Sequence, residues 1–278
     1  MDKILELFTE SSKNRKVNWK TIVKNQYCNY LGKKCVKVRK STPAISIGTC
    51  TVAYGRNKDC VIICPHRLLE NKQIFIDCIH LLTLHEPGNQ LHIIPEVAIP
   101  GGSVDYVLAS VKNGKVKDFV GIELQTMDTT GSVWGHRQAF LQSQGVVKTS
   151  TEESTFGMNW KMTAKTILVQ MHHKVNTFET LNRHLVLVLQ DCLMNYMRKE
   201  FDFGHISTNA KIGDSFHFHC YSLSVNRSKY QLSLIERTST DSDGIAQCLG
   251  LKAEAKVELT SFLKLLESKL SSKTLLKI

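Results

Sequence analysis

The sequence predicts an α/β or α+β layer fold in which helices flank one mixed central sheet. Three observations carry this. Strand-type alternation recurs at 102–126 and at 215–235. Apolar residues at spacings of three and four mark helices at 177–200 and at about 252–269. The 278 residues, 42% of them hydrophobic, suffice for one large domain or one domain with a small appendage.

In chain order, residues 3–8 and 17–25 read as short helical pieces, and 26–66 as an irregular, basic, cysteine-rich stretch. His66 to Ile79 fits a helix, or a helix and a strand. Residues 90–99, with Leu91, Ile93, Ile94 and Val97, form a strand, and Pro100-Gly101-Gly102 signals a turn. Gly102–Ser110 and Asp118–Thr126 form a hairpin. Residues 131–145 are helical and end at Gly145. Residues 158–171 close on Thr166–Gln170, which has the pattern of a buried strand. Residues 177–200 make the longest helix, with Phe178, Leu181, Leu185, Val188, Leu189 and Cys192 on one side. Ser215–Ser222 and Lys229–Ile235 alternate as strands joined through Asn226-Arg227-Ser228. The closing helix carries Val257, Leu259, Phe262, Leu265, Leu266 and Leu270. The division is 1–66 for the N-terminal segment and 67–278 for the core, packed as one unit.

The chain carries 36 Lys and Arg against 25 Asp and Glu, a formal charge of +11. This excess favours an anionic partner, with nucleic acid the commonest. There is no run of 18 apolar residues and no secretory pattern at the start, so the expected location is cytoplasmic, with no membrane partner.

The hairpin holds the most informative residues. Glu123 and Gln125 share a strand face with Phe119 and Gly121, while Val120, Ile122 and Leu124 form the other. A two-residue turn at Asn113-Gly114 would set Asp105 opposite Ile122, on the apolar side. A three-residue loop, Asn113 to Lys115 with a glycine-type bulge, instead sets Asp105 opposite Glu123, and this geometry is the expected one. Two carboxylates on adjacent strands would make a hard-cation site of the kind that holds Mg²⁺ against a phosphate. The competing reading is an exposed hairpin edge with scattered acids.

Five of the nine cysteines fall within 37 residues: Cys28, Cys35, Cys50, Cys60 and Cys64. In a reducing compartment such clustering points to metal before disulfides. Four ligands suffice for a tetrahedral site. Cys60 alternates with Cys64 along the apolar run Cys60-Val-Ile-Ile and is assigned to the core, leaving Cys28, Cys35, Cys50 and Cys64, with His66 as a weaker substitute. Free buried cysteines are the competing reading. The run Lys33–Lys40, five cations in eight positions, is either a solvated face or a phosphate track beside the cluster. His172-His173 and His217/His219 are assigned to packing or solvent, and His136-Arg137 to a phosphate contact or a helix cap.

These motifs resemble the NotI family of type II restriction endonucleases. The resemblance is carried by Cys28, Cys35–Ser41, Ile47–Cys50, Ile63–Glu70, Gly102–Tyr106, Asp118–Thr126, Thr129–Gly131, Trp134 and Asn159–His173, and it runs from about 26 to 200. It implies an α/β nuclease core of the PD-(D/E)xK type, with glutamine replacing the usual lysine. Asp105 and Glu123 would be the magnesium-binding carboxylates, Gln125 the substituted position and Glu96 the accessory acid, with Glu70 competing. The positive charge of the missing lysine would come from metal or from a neighbour, with Lys161 or Lys165 as hypothetical donors. The four cysteines would hold structural iron or zinc. The implied activity is Mg²⁺-dependent hydrolysis of double-stranded DNA at a specific palindrome by a homodimer, leaving 3′-hydroxyl and 5′-phosphate ends. The alternatives are a non-specific or repair-type nuclease of the same core, or a non-catalytic, metal-stabilised DNA-binding protein.

Overall fold

The computed structural model describes residues 3–148, 155–251 and 259–269. The first segment pairs rather than coils: β1 (Ile4–Leu7) and β2 (Glu10–Ser11) form a hairpin. The expected helix at 3–8 is therefore a strand. A four-residue apolar run suits either state, and pairing with a distant strand decides it. Helix α1 (Trp19–Asn25) follows, its N-terminus capped by the Asn18 side chain, which accepts the Thr21 N–H at 3.2 Å.

The stretch expected to be irregular is a series of short ladders. β3 (Tyr27–Cys28) pairs with β4 (Lys33–Lys34), and β5 (Val38–Arg39) with β6 (Thr42–Ser46). β7 (Thr49–Tyr54) and β8 (Asp59–Ile62) join the first hairpin in an antiparallel sheet ordered β2-β1-β7-β8. A 3-10 turn (Pro65–Lys72) and the one-turn helix α2 (Gln73–Ile76) lead to the main sheet.

That sheet has six strands in the order β16-β15-β14-β11-β10-β9. Its members are β9 (Gln90–Ile99), β10 (Gly102–Lys112), β11 (Lys115–Gln125), β14 (His184–Gln190), β15 (Phe216–Asn226) and β16 (Lys229–Thr240). β11, β14 and β15 run parallel, and the outer pairs are antiparallel, so the sheet is mixed as expected. Between β11 and β14 lie β12 (Thr129–Gly131), α3 (Trp134–Ser143), β13 (Phe156–Met158) and α4 (Trp160–Thr180). Helices α5 (Asp191–Glu200), α6 (Ser242–Cys248) and α7 (Leu259–Glu267) complete the chain. The front half of the expected closing helix, with Val257, and its Leu270 lie outside the described residues.

Two assignments exchange identity. The segment read as ending in a buried strand at 166–170 is the middle of α4, and the segment read as the longest helix contains β14. Within α4 the buried residues Ala164, Ile167, Leu168, Met171, Val175 and Phe178 follow the helical period. His184-Leu-Val-Leu-Val-Leu-Gln190 is buried almost throughout because a parallel central strand is covered on both faces. Its Leu and Val residues then mimic a helical stripe.

Both faces of the sheet are therefore packed. On one, Val107, Ala109, Leu185, Leu187, Phe216 and Phe218 meet α4 and α5 through residues such as Leu168, Met171, Phe178 and Met194. On the other, Leu108, Val120, Ile122, Leu124, Val186 and Val188 meet Ile62, Leu68, Ile74 and Leu81. Gln190 ties the small sheet to the large one, accepting the Ile62 N–H at 2.9 Å and donating to the Cys60 carbonyl at 2.6 Å.

Candidate active site

The hairpin reaches the expected pairing by a different route. Its turn has two residues, with Asn113 and Gly114 both at positive φ (53° and 72°), the geometry that an Asn-Gly pair favours. The register shifts between Ser110 and Val111, which leaves Lys117 as an extra residue on β11. The expected three-residue loop is thus corrected. The bulge lies three residues beyond the turn and restores the same alignment: Tyr106 opposes Ile122, and Asp105 comes next to Glu123. On its other side β10 pairs Val104 with Val97 and Tyr106 with Pro95, which brings Glu96 level with Asp105. Three acids thus stand in line across β9, β10 and β11.

Their surroundings differ. Glu123 is 6% exposed, whereas Asp105 and Glu96 face solvent. The Asp105 carboxylate accepts the Leu124 N–H at 2.8 Å, and the Asp105 N–H donates toward Glu123. Burial pushes the Glu123 carboxyl up to about 7, with the Asp105 charge adding to the rise and Lys174 opposing it. Asp105 is also raised, first by desolvation and further by Glu96, against the Leu124 N–H, Lys174 and His66. Glu96 holds a left-handed backbone (φ 52°) directly after Pro95. For a non-glycine residue this costs on the order of 1–3 kcal/mol, and such strain concentrates at functional sites.

The cation at this site was not found by reading the sequence. Lys174, buried on α4, places its Nζ 2.7 Å from Glu123 Oε1. Lys161 and Lys165 lie exposed on the first half of the helix. The signal available was a lysine within the buried stripe of α4, legible only once that segment is recognised as a helix. Gln125 is half-buried and donates its amide to the Thr126 carbonyl at 2.6 Å. Glu70 sits across the sheet from these acids, 3.1 Å from Arg67 and accepting the Leu232 N–H of β16 at 2.8 Å. The structure therefore sets Glu96, not Glu70, beside Asp105.

The cysteines gather partly as expected. Cys28, Cys50 and Cys64 are buried and Cys35 half-buried, and the charges of Cys28, Cys35 and Cys64 act on one another. The adjacent Cys64 thiol and burial raise Cys50, whose Sγ donates to the Gly48 carbonyl at 3.4 Å, while Cys50 lowers the Cys64 thiol to about 7. Cys60, expected in the core, is only half-buried, and the charges acting on it are those of Lys13, Glu6, Asp59 and Asp191. Among the described residues, however, no group of three or more His, Cys, Asp or Glu side chains is arranged as a metal cage. The basic run borders the acids: Lys33 and Lys37 act on His66, and His66 on Asp105. Arg137, assigned to a phosphate contact or a cap, is instead buried and donates to the Ile47 carbonyl at 2.7 Å, bracing the loop before Cys50.

Among the described residues no helix is long and apolar enough to cross a membrane. No curated protein matches the chain. A family profile described as restriction endonuclease NotI matches residues 25–216, well over half of the sequence and spanning the cysteine cluster, the three acids and Lys174. The chain therefore belongs to the NotI restriction endonuclease family.

Proposed function

We propose that this protein is a type II restriction endonuclease that hydrolyses phosphodiester bonds of double-stranded DNA at one palindromic sequence. The observation that carries the reading is the alignment of Glu96, Asp105 and Glu123 on three adjacent strands, inside the region matched by the family. Asp105 and Glu123 would hold magnesium, since hard oxygen donors side by side, both carboxyls raised by burial and then by a neighbouring acid (Asp105 for Glu123, Glu96 for Asp105), suit a divalent cation. Bound there, the ion supplies Lewis-acid stabilisation of the charge that develops on the phosphate, and acidifies water.

The chain's own groups do the rest. The N–H groups of Asp105 and Leu124 fix the two carboxylates relative to each other. Gln125 is neutral and is neither a base nor a cation. The run Lys33–Lys40, bordering the acids through His66, supplies positive charge for the DNA backbone. Attack of water in line on phosphorus then leaves 3′-hydroxyl and 5′-phosphate ends. A palindromic site suits a two-fold dimer, each copy cutting one strand. Cys28, Cys35, Cys50 and Cys64 are donors suited to structural iron or zinc, with four thiols leaving no position open for substrate.

The test is digestion of a long sequenced DNA, such as a phage genome, with purified protein and Mg²⁺, followed by sequencing of the fragment ends. Discrete fragments sharing one end motif support the proposal, provided that Asp105→Asn binds the same DNA in Ca²⁺ without cutting it in Mg²⁺. A smear would point to a non-specific nuclease. Absence of cutting by the wild type on both unmodified and base-modified DNA would refute the nuclease reading in favour of a DNA-binding protein.

A further inference from the structure

The third position of the acidic motif holds no cation, yet a buried one stands at the same carboxylate. Lys174 reaches Glu123 at 2.7 Å with both side chains about nine-tenths buried, and its charge acts on Asp105 as well. The approach is built into the fold. Thr177 on α4 donates to the Pro100 carbonyl at 2.9 Å, which pins the helix to the β9–β10 turn. Gly101 and Gly102 keep that turn thin: a Cβ on Gly101 would lie 2.8 Å from the His173 carbonyl oxygen, and one on Gly102 would lie 3.5 Å from Lys174 Cε. The lysine stem therefore lies against the turn that opens β10, three residues before Asp105. Gln125, whose amide is spent on the Thr126 carbonyl, leaves this place to Lys174.

A buried ion pair adds little net stability, because desolvating both charges offsets their attraction. Packing alone gives no reason for an ammonium here. We propose that Lys174, delivered from α4 and not from the strand, is the lysine of this active site: it positions Glu123 and supplies the positive charge that Gln125 cannot. This rests on the nuclease reading above. Lys174 is a positioning residue for Glu123, and it competes with a metal ion for that carboxylate until DNA and metal assemble the site.

The experiment uses full-length wild type, Lys174→Met, Lys174→Arg and the relocated lysine Gln125→Lys/Lys174→Met. Each is first shown to be folded by near-ultraviolet circular dichroism and a urea transition. Mn²⁺ binding without DNA is measured by calorimetry, and single-turnover cleavage in Mg²⁺ over a range of enzyme concentrations. Expected for Lys174→Met is a several-fold gain in Mn²⁺ affinity, because two carboxylates lose their counter-charge. Its maximal cleavage rate falls about 100-fold, the scale of losing one stabilising group from an active site, while half-saturation by DNA changes little. Lys174→Arg retains part of the rate, and Gln125→Lys/Lys174→Met regains at least about tenfold over Lys174→Met.

A structural prop would behave differently: Mn²⁺ binding and cutting would fall together, and moving the lysine would rescue neither. That result, or an unchanged rate in Lys174→Met, overturns the proposal. If Lys174→Met does not fold, Lys174→Gln takes its place under the same criteria. If the wild type cuts no DNA, the nuclease reading has failed, and Mn²⁺ affinity alone decides whether Lys174 guards the carboxylates: a rise upholds that role and no rise removes it.

Discussion

At Gly121 the sheet lies directly against Phe178 of the helix that carries Lys174. Gly121 pairs with Val107 on β10 and Leu185 on β14, in the middle of the sheet. A Cβ added there would lie 2.2 Å from Phe178 Cζ and 2.7 Å from its Cε1. Carbon atoms rest at about 3.5–4.0 Å, so the ring must retreat by roughly 1.3 Å or more. Phe178 is 1% exposed and already packs edge-on against Phe119, so little free space receives it. Overpacking of this kind costs about 1–3 kcal/mol. Stiffening the unfolded chain by replacing glycine returns about 0.4–1 kcal/mol. With the clash at the upper end of its range, Gly121→Ala should lose about 2 kcal/mol, a fall in Tm of about 4–8 °C for a chain of this size. Lys174 precedes Phe178 by one helical turn, so the displaced helix also draws the ammonium from Glu123, and cleavage slows beyond what the lost stability explains. The assay is a urea titration with single-turnover cleavage at a temperature where all variants are folded. Phe178→Leu is the partner mutation. If the clash is the cause, the double variant is less destabilised than the sum of the singles by at least about 0.5 kcal/mol. Wild-type stability in Gly121→Ala, or strict additivity in the double variant, would refute the reasoning.

Arg67 is fully buried, 2.7 Å from Glu6 Oε2 and 3.1 Å from Glu70 Oε2, so Arg67→Met strands the buried Glu6 charge and should cost about 3–5 kcal/mol by urea unfolding. Adding Glu6→Gln should recover part of that loss. His217 and His219 are buried and neutral, their imidazoles lowered by desolvation to about 3 and about 2. A folded pKa below the unfolded value means that the unfolded chain takes up the protons first, so stability is full above the unfolded value near 6.5 and falls as acid is added. Between pH 7.5 and 5.5 each should contribute about 1.4 kcal/mol of loss, and His219→Gln should remove one such share from the slope of unfolding free energy against pH. Metal analysis of purified protein should find iron or zinc that Cys64→Ser loses and Cys60→Ser keeps, because Cys64 acts on Cys28, Cys35 and Cys50, whereas the charges acting on Cys60 are those of Lys13, Glu6, Asp59 and Asp191.

The hairpin, the β15–β16 pair and the turn at Pro100 were legible because their signals are local: alternation, an Asn-Gly turn, a glycine pair. The pairing of Asp105 with Glu123 was reached from the demand that Asp105 avoid the face of Val120, Ile122 and Leu124. The route to it was misread, since a two-residue turn with a bulge at Lys117 satisfies the same demand as a longer loop. The exchange of helix and strand between 158 and 200 has a different cause. Thr166-Ile-Leu-Val and Leu185-Val-Leu-Val-Leu are both short apolar runs, and no local feature tells which is a fully buried parallel strand. The β1 assignment failed for the same reason, because Ile4 and Leu7 take their state from β7.

By itself the sequence determined that Asp105 and Glu123 share one face of the hairpin. Alternation along a strand is set by backbone geometry, so once the hairpin is known, Glu123, Gln125 and Asp105 have their faces. Only the tertiary structure decided which cation meets Glu123 and which of Glu96 and Glu70 stands beside Asp105. Lys174 lies 51 residues from its partner, on a helix whose docking depends on the thin Gly101-Gly102 turn and the bare Gly121. Contacts of that range arise from how layers pack, and the residues that make the room for them are glycines, whose contribution is the absence of a side chain.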